Sequence, residues 1–225
     1  MKLAKQQLDV GIFTNNADAM LEFWQQRIGL PFEETLPLGG GVLQHRHAMN
    51  GSVFKLNTAR DPLPDAPPSG YRELLIARAG LSQVELLTDP DGNRVTLVPP
   101  GVEGVGGIAM RMAVTNADRF DAYFGDALEF ERTAKGAYRC GDSLVFIDHD
   151  ASAVRTEPLR ARGYRYLTAQ VWDVDAEHRG IVERGGAEGR PPVTLGTTAR
   201  VSFVRDPDGN WIEISQRASL TGSVA

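Results

Sequence analysis

The pentapeptide Asp-Pro-Asp-Gly-Asn occurs twice in the chain, at 89–93 and 206–210, and each copy runs into an alternating stretch: Arg94-Val95-Thr96-Leu97 and Trp211-Ile212-Glu213-Ile214. An identity of this length in 225 residues marks an internal duplication. The pentapeptide is turn chemistry. Proline presets φ at the second position, the aspartates bond nearby backbone, and glycine supplies the left-handed residue that closes the turn. Period-2 alternation then puts Trp211 and Glu213 on one strand face and Ile212 and Ile214 on the other. The first copy carries Thr96 where the second carries Glu213.

Further repeats hold the register. Ala17-Asp18 and Phe23-Trp24 return 100 positions later as Ala117-Asp118 and Tyr123-Phe124, and Gly70-Tyr71-Arg72 returns as Gly163-Tyr164-Arg165. Residues 8–13 alternate as a strand. Asn15 and Asn16 offer an N-cap to a helix with Met20, Leu21, Trp24 and Ile28 at helical spacing, and Gly29 stops it. Strands separated by glycine turns are expected over 32–57, and the proline-rich 57–70 reads as a loop. The strand at 71–77 is followed by too few residues for a helix before the next at 83–87. The second half repeats this order with both helices, over 116–128 and from Asp173 to Gly185-Gly186, with strand hairpins across 130–148. The division is a first half at 1–100 with two modules, the second lacking its helix, a Gly/Pro-rich linker at 101–107, a second half at 108–217 and a frayed tail at 218–225.

Composition narrows the function. Hydrophobic residues make up 42%, enough for a real core. The net charge of −5 comes without a basic block, which argues against nucleic acid or an anionic membrane as partner and leaves a small molecule. Cys140, the single cysteine, supports neither a disulfide framework nor a thiolate cluster and reads as a small hydrophobe near a turn. A reducing cytoplasm is the natural compartment, and the polar residues 1–7 show no signal peptide or membrane span.

The capped helix ending in the aromatic pair and Ile28-Gly29-Leu30, the stretch Val171-Trp172-Asp173-Val174-Asp175, and above all Asp206-Pro207-Asp208-Gly209-Asn210 with Glu213 just beyond resemble the vicinal oxygen chelate superfamily. That superfamily includes glyoxalase I, bleomycin-resistance proteins and extradiol dioxygenases. The resemblance spans Leu8 to Gln216. It implies an α+β fold of paired β-α-β-β-β modules forming cup-shaped mixed sheets with the helices outside. It also implies a divalent metal bound by first and last strands of the modules; for this chain the expectation is Zn, Mn or Fe, no organic cofactor, and a homodimer.

Carried over by position, the first-strand sites fall on Asp9, Glu73, Ala109 and Tyr166, and the last-strand sites on Lys55, Thr96, Phe146 and Glu213. With each half taken as a cup, the second half keeps only Glu213 and Tyr166, too few donors for a divalent ion. There Glu213 is either a remnant bonded to Tyr166 or an arginine, or half of a metal-free acid/base pair. Tyr166, Glu213, Trp211 and Thr96 are the substrate-binding candidates. The first half gathers Asp9, Glu73 and Lys55 as catalytic candidates, and His45 and His47, two apart on one strand face, join Glu73 as metal-ligand candidates or project into solvent. His149 and His178 read as solvated. The reading that follows is a vicinal-oxygen-chelate-type enzyme acting on a small oxygenated, aromatic metabolite through an enolate-like or metal-chelated oxyanion, as a lyase, isomerase or ring-opening dioxygenase. The rival is a binder that sequesters an antibiotic, as bleomycin-resistance proteins do.

Overall fold

The computed structural model describes residues 1–133 and 136–224. The first module runs β1 (Asp9–Thr14), α1 (Ala17–Glu22), β2 (Phe32–Gly39), β3 (Val42–Met49) and β4 (Ser52–Ala59). The second has β5 (Tyr71–Ala77), β6 (Glu85–Thr88) and β7 (Arg94–Val98), with no helix after its first strand. The third has β8 (Ile108–Val114), α2 (Ala117–Asp121), β9 (Glu131–Arg132), β10 (Ala137–Cys140) and β11 (Ser143–His149). The expected hairpins at 130–148 span positions 134 and 135, which lie outside the described residues. The fourth has β12 (Gly163–Gln170), α3 (Val174–Glu183), β13 (Ala187–Leu195), β14 (Ala199–Arg205) and β15 (Trp211–Arg217). Instead of fraying, the tail continues from Arg217 into a short helix, α4 (Ala218–Thr221), closed by Gly222 at φ +79°. Position 225 is outside the described residues. No helix among them is long and apolar enough to cross a membrane.

The repeated aromatic pair has a structural role. After α1 and α2 the backbone widens into π-helical turns, Phe23–Arg27 and Ala122–Ala127. Each turn drives its second aromatic into the core, where Trp24 stacks on Phe54 with ring centroids 3.8 Å apart and Phe124 stacks on Tyr138 at 5.2 Å. Asp173 caps α3 by accepting from Ala176 N at 2.9 Å. Both sheets turn their aliphatic faces, Val10, Ile12, Leu74, Ile76, Ile212 and Ile214 among them, to one core shared with the helices.

The halves do not each form a cup. The eight-stranded sheet has the order β13-β14-β15-β12-β1-β4-β3-β2, and the seven-stranded sheet β6-β7-β5-β8-β11-β10-β9. The first module therefore pairs with the fourth through β1 and β12, and the second with the third through β5 and β8, both antiparallel. This corrects the expectation that Asp9, Lys55 and Glu73 share a cup.

The turn motifs tie the halves together. Asp206 accepts backbone N–H bonds from Asp208 and Asn210 and a side-chain bond from Asn210, and Asp89 is bonded likewise. Tyr71 donates to the carbonyl of Trp211 at 2.9 Å, and Tyr164 donates to the carbonyl of Arg94 at 3.0 Å, so each half holds the strand that follows the other's turn. Asn210 Oδ1 also accepts from Gly70 N.

Burial pushes the Asp206 carboxyl up to about 7, against the Asn210 donors that favour its ionised form. A pKa raised in the folded state stabilises most below the unfolded value of about 4, and the gain is lost as pH rises through about 7. In urea titrations, the stability advantage of the wild type over Asp206→Asn should accordingly shrink by about 2 kcal/mol between roughly pH 5 and pH 8. A pH-independent difference would contradict this.

Candidate functional site

The cup between the first and fourth modules takes its floor from period-2 positions on four adjacent strands: Asp9 and Gly11 of β1, Lys55 and Asn57 of β4, Tyr166, Thr168 and Gln170 of β12, and Glu213 of β15. Asp9 is in register with Thr168, and Thr168 with Glu213. Lys55 lies opposite Gly11. Its buried ammonium is the hub. Nζ donates to Glu213 Oε2 at 2.6 Å and to Thr168 Oγ1 at 2.7 Å, and stands 3.9 Å from Asp9 Oδ2. Thr168 Oγ1 in turn donates to Glu213 Oε2 at 2.6 Å, while Glu213 Oε1 has no hydrogen-bond partner among the described residues.

Asp9 is fully buried and completely bonded. Oδ1 accepts from Lys5 Nζ at 2.6 Å and Val53 N at 2.8 Å, and Oδ2 from Gln170 Nε2 at 3.0 Å. Burial alone would raise its pKa, but the charges of Lys55 and Lys5 outweigh that and hold it below the usual carboxylate range. Lys55 is lowered by burial, only partly offset by Glu213 and Asp9. An ammonium held in this way can give up a proton more readily than a solvated lysine.

Gly11 is required where it stands. A Cβ there would come within 2.0 Å of the Tyr166 ring, which lies against the glycine backbone. The Tyr166 hydroxyl accepts from Gln44 Nε2 at 3.2 Å and Asn57 Nδ2 at 3.3 Å. Burial and the nearby Glu213 push the phenol well above its ordinary range, so Tyr166 stays neutral.

Above this floor is a cavity of about 390 Å³, within the usual range for small-molecule pockets. The sheet curls so that both its edge strands line the mouth, β2 with Leu36 and Leu38, and β13 with Arg190 and Val193. Apolar walls come from Phe13, Leu159, Val201 and Phe203. Trp211 stands behind them in the same cluster, with Arg205 4.2 Å above its ring and its Nε1 donating to Glu157 O.

The structure unites Asp9, Lys55, Tyr166, Glu213 and Trp211 and separates the other candidates. Glu73 and Thr96 belong to the second cup, where Thr96 Oγ1 and Arg111 Nε, the latter at 3.2 Å, bond the Glu73 carboxylate. That cup is filled by Leu75, Val98, Ala109 and Leu144, and residues 99–107 send Val102 and Val105 into it. His45 and His47 do share a face, but it is the face away from the cup. His47 contacts Gln25 and Phe54, and His45 bonds Thr35 and Thr58. Phe146 lies beside Arg111 and the second-cup cluster. His178, expected in solvent, is buried at 5% exposure against Glu188, whereas His149 is exposed. Cys140 is buried, with its thiol pushed up to about 12.

Thr168, Gln170, Arg46 and Arg217 were missed. Thr168 and Gln170 lie two and four residues after Tyr166, and Arg217 four after Glu213, so strand alternation alone puts them on the same faces.

The donor set does not fit a divalent ion. Asp9 is occupied by an ammonium, a backbone N–H and an amide, and Glu213 Oε2 by an ammonium and a hydroxyl. The Lys55 charge stands where the four strand positions converge and would repel a metal. No group of three or more His, Cys, Asp or Glu among the described residues is placed to hold one.

A profile of the Glyoxalase/Bleomycin resistance protein/Dioxygenase superfamily matches residues 106–214. Among curated proteins none matches by sequence. Glyoxalase I from Zea mays shares the architecture, with a TM-score of 0.73 at 11% identity, over 93% of this chain and 92% of that one. A single-residue mutant of the maize enzyme superposes at 0.74, also at 11% identity, over 99% of this chain and 97% of its own. A Bacillus subtilis protein described as a candidate dioxygenase gives 0.66 at 12% identity, over 96% and 86% of the two chains. These likenesses establish the fold, and the profile adds sequence support across the second half: residues 106–214 match the Glyoxalase/Bleomycin resistance protein/Dioxygenase superfamily, in a chain that shares the fold of glyoxalase I throughout.

Proposed function

We propose that the cup between the first and fourth modules is the active site of a lyase or isomerase acting on a small oxygenated carbonyl compound through an enolate, with Lys55 supplying the positive charge. The observation that carries this reading is the buried Lys55–Glu213 pair at 2.6 Å beneath a cavity lined by aromatic and aliphatic side chains. The unbonded Glu213 Oε1 is the base for a proton on carbon beside the carbonyl. The Lys55 ammonium stabilises the oxyanion that develops, in a site sheltered from water where such a charge counts most. Asp9, bonded by Lys5 and Gln170, keeps the ammonium over the floor, so Asp9 is a positioning residue. Returning the proton to a different carbon completes an isomerisation, and expelling a group beta to the carbonyl completes an elimination. A ring-opening dioxygenase would require a redox metal, for which the donor set offers no seat.

The test is hydron exchange. Incubated in deuterium oxide with a panel of neutral and carboxylated ketones, the protein should introduce deuterium beside the carbonyl of at least one compound, as read by proton NMR. Compounds that bind and never exchange would overturn the catalytic reading in favour of simple sequestration.

A further inference from the structure

The cavity has a second polar feature that proton abstraction does not use. Its lining holds five cationic side chains, Arg46, Lys55, Arg160, Arg190 and Arg217, against the single carboxylate of Glu213. The chain as a whole carries −5, so this excess opposes the protein's overall charge. Glu213 is already committed to Lys55. Arg217, projecting from the end of β15, forms no ion pair or side-chain hydrogen bond among the described residues. Arg46 lines the same cavity, and burial and then Arg46 lower the Arg217 pKa against the opposing pull of Glu34, Glu213 and Asp9.

Arg46 is buried at 5% exposure. Its Nη1 donates to Gln44 Oε1 at 3.2 Å, and its Nε lies 3.2 Å from Glu34 Oε1. Among the described residues that Nε nevertheless has no partner in hydrogen-bond geometry. Two guanidinium groups brought together at the wall of an apolar pocket, one open on all its donors and the other with a buried N–H unmet, are costly unless an anion completes them. A planar carboxylate matches guanidinium donors two at a time.

We propose that Arg46 and Arg217 form a carboxylate seat and that the ligand of this cup is a hydrophobic carboxylic acid, its acid group at the arginines and its apolar body against Phe13, Tyr166, Val201 and Phe203. This rests on the cup being the functional site and names the substrate class it takes. Arg217 lies on the same strand face as Glu213, four residues on and thus about 13 Å along the strand. The seat therefore anchors the end of a ligand remote from the reacting carbon, with the reach of the arginine side chains shortening the span.

Isothermal titration with 4-phenylbutyrate and its neutral isostere 4-phenylbutanamide tests the seat. The wild type should bind the acid about 10- to 100-fold more tightly than the amide. Arg217→Met should erase that preference while leaving amide affinity within about threefold. Arg217→Gln, which keeps polarity without the charge, should behave as Met does and guards against a folding defect. Equal affinity for acid and amide in the wild type, no binding of either, or a preference that survives in Arg217→Met would overturn the proposal. Acid preference without hydron exchange on any ketone would leave the seat standing and remove the catalytic reading. Exchange without acid preference would do the reverse.

Discussion

Replacing Lys55 with alanine should turn the cup into a divalent-cation site. The substitution removes an ammonium bonded to Glu213 and Thr168 and 3.9 Å from Asp9, leaving around an emptied volume the freed Glu213 carboxylate, the Thr168 hydroxyl, the buried Gln170 Oε1 that has no partner among the described residues, and Asp9, whose Oδ1 stays with Lys5 while Oδ2 keeps only the Gln170 amide. Breaking a buried ion pair on one side costs about 3–5 kcal/mol. The lower end applies here, because Lys5 still pairs with Asp9 and the Glu213 side chain is 14% exposed. Without metal, Lys55→Ala should lose about 3 kcal/mol of stability by urea denaturation. Manganese or zinc at about 100 times its dissociation constant should return roughly 2.7 kcal/mol by mass action. The wild type, with the site already filled by its own cation, should show no such gain. Lys55→Met, which keeps the bulk without the charge, should be destabilised yet unresponsive to metal. A wild type stabilised by metal as strongly as the alanine variant would refute the idea that Lys55 takes the ion's place.

Glu213→Gln should abolish chemistry while preserving binding. The amide keeps the shape of the side chain and can still accept from Thr168 and Lys55, but it cannot take a proton from carbon. General-base catalysis is worth about 100- to 10,000-fold, so the exchange rate should fall by that factor while dissociation constants for 4-phenylbutyrate move little. In the wild type the rate should also fall at alkaline pH as Lys55 loses its proton. Since burial lowers the Lys55 pKa, that limb should lie below the usual lysine value of about 10.4. A Glu213→Gln variant with full exchange activity would assign the base elsewhere.

These expectations depend on a partnership the chain does not announce. Asp9 and Lys55 are more than 150 residues from Glu213, yet all three share one floor. Alternation along each strand correctly paired His45 with His47 on one face, but β3 offers two mixed faces, with Gln44 and Arg46 on one and the histidines on the other. Local pattern cannot choose between them. Only the packing of Trp24 and Phe54 beside His47 marks that face as the helix side. Which residue of β12 lies beside Glu213 was equally hidden: the pairing with β15 puts Thr168 there, and a strand of wholly buried residues carries no marker for that register.

What the sequence determined by itself was the module. The repeated turn, the helices with their aromatic pairs, the caps Asn116 and Asp173 though not Asn16, and the helix missing after Ala77 are local features, written in backbone preferences and side-chain periodicity. Tertiary structure decided which modules share a sheet. Joining β1 to β12 and β5 to β8 satisfies long-range hydrogen bonds at strand edges that look alike in sequence, and that choice placed Glu213 on Lys55 while leaving Glu73 in a filled cup.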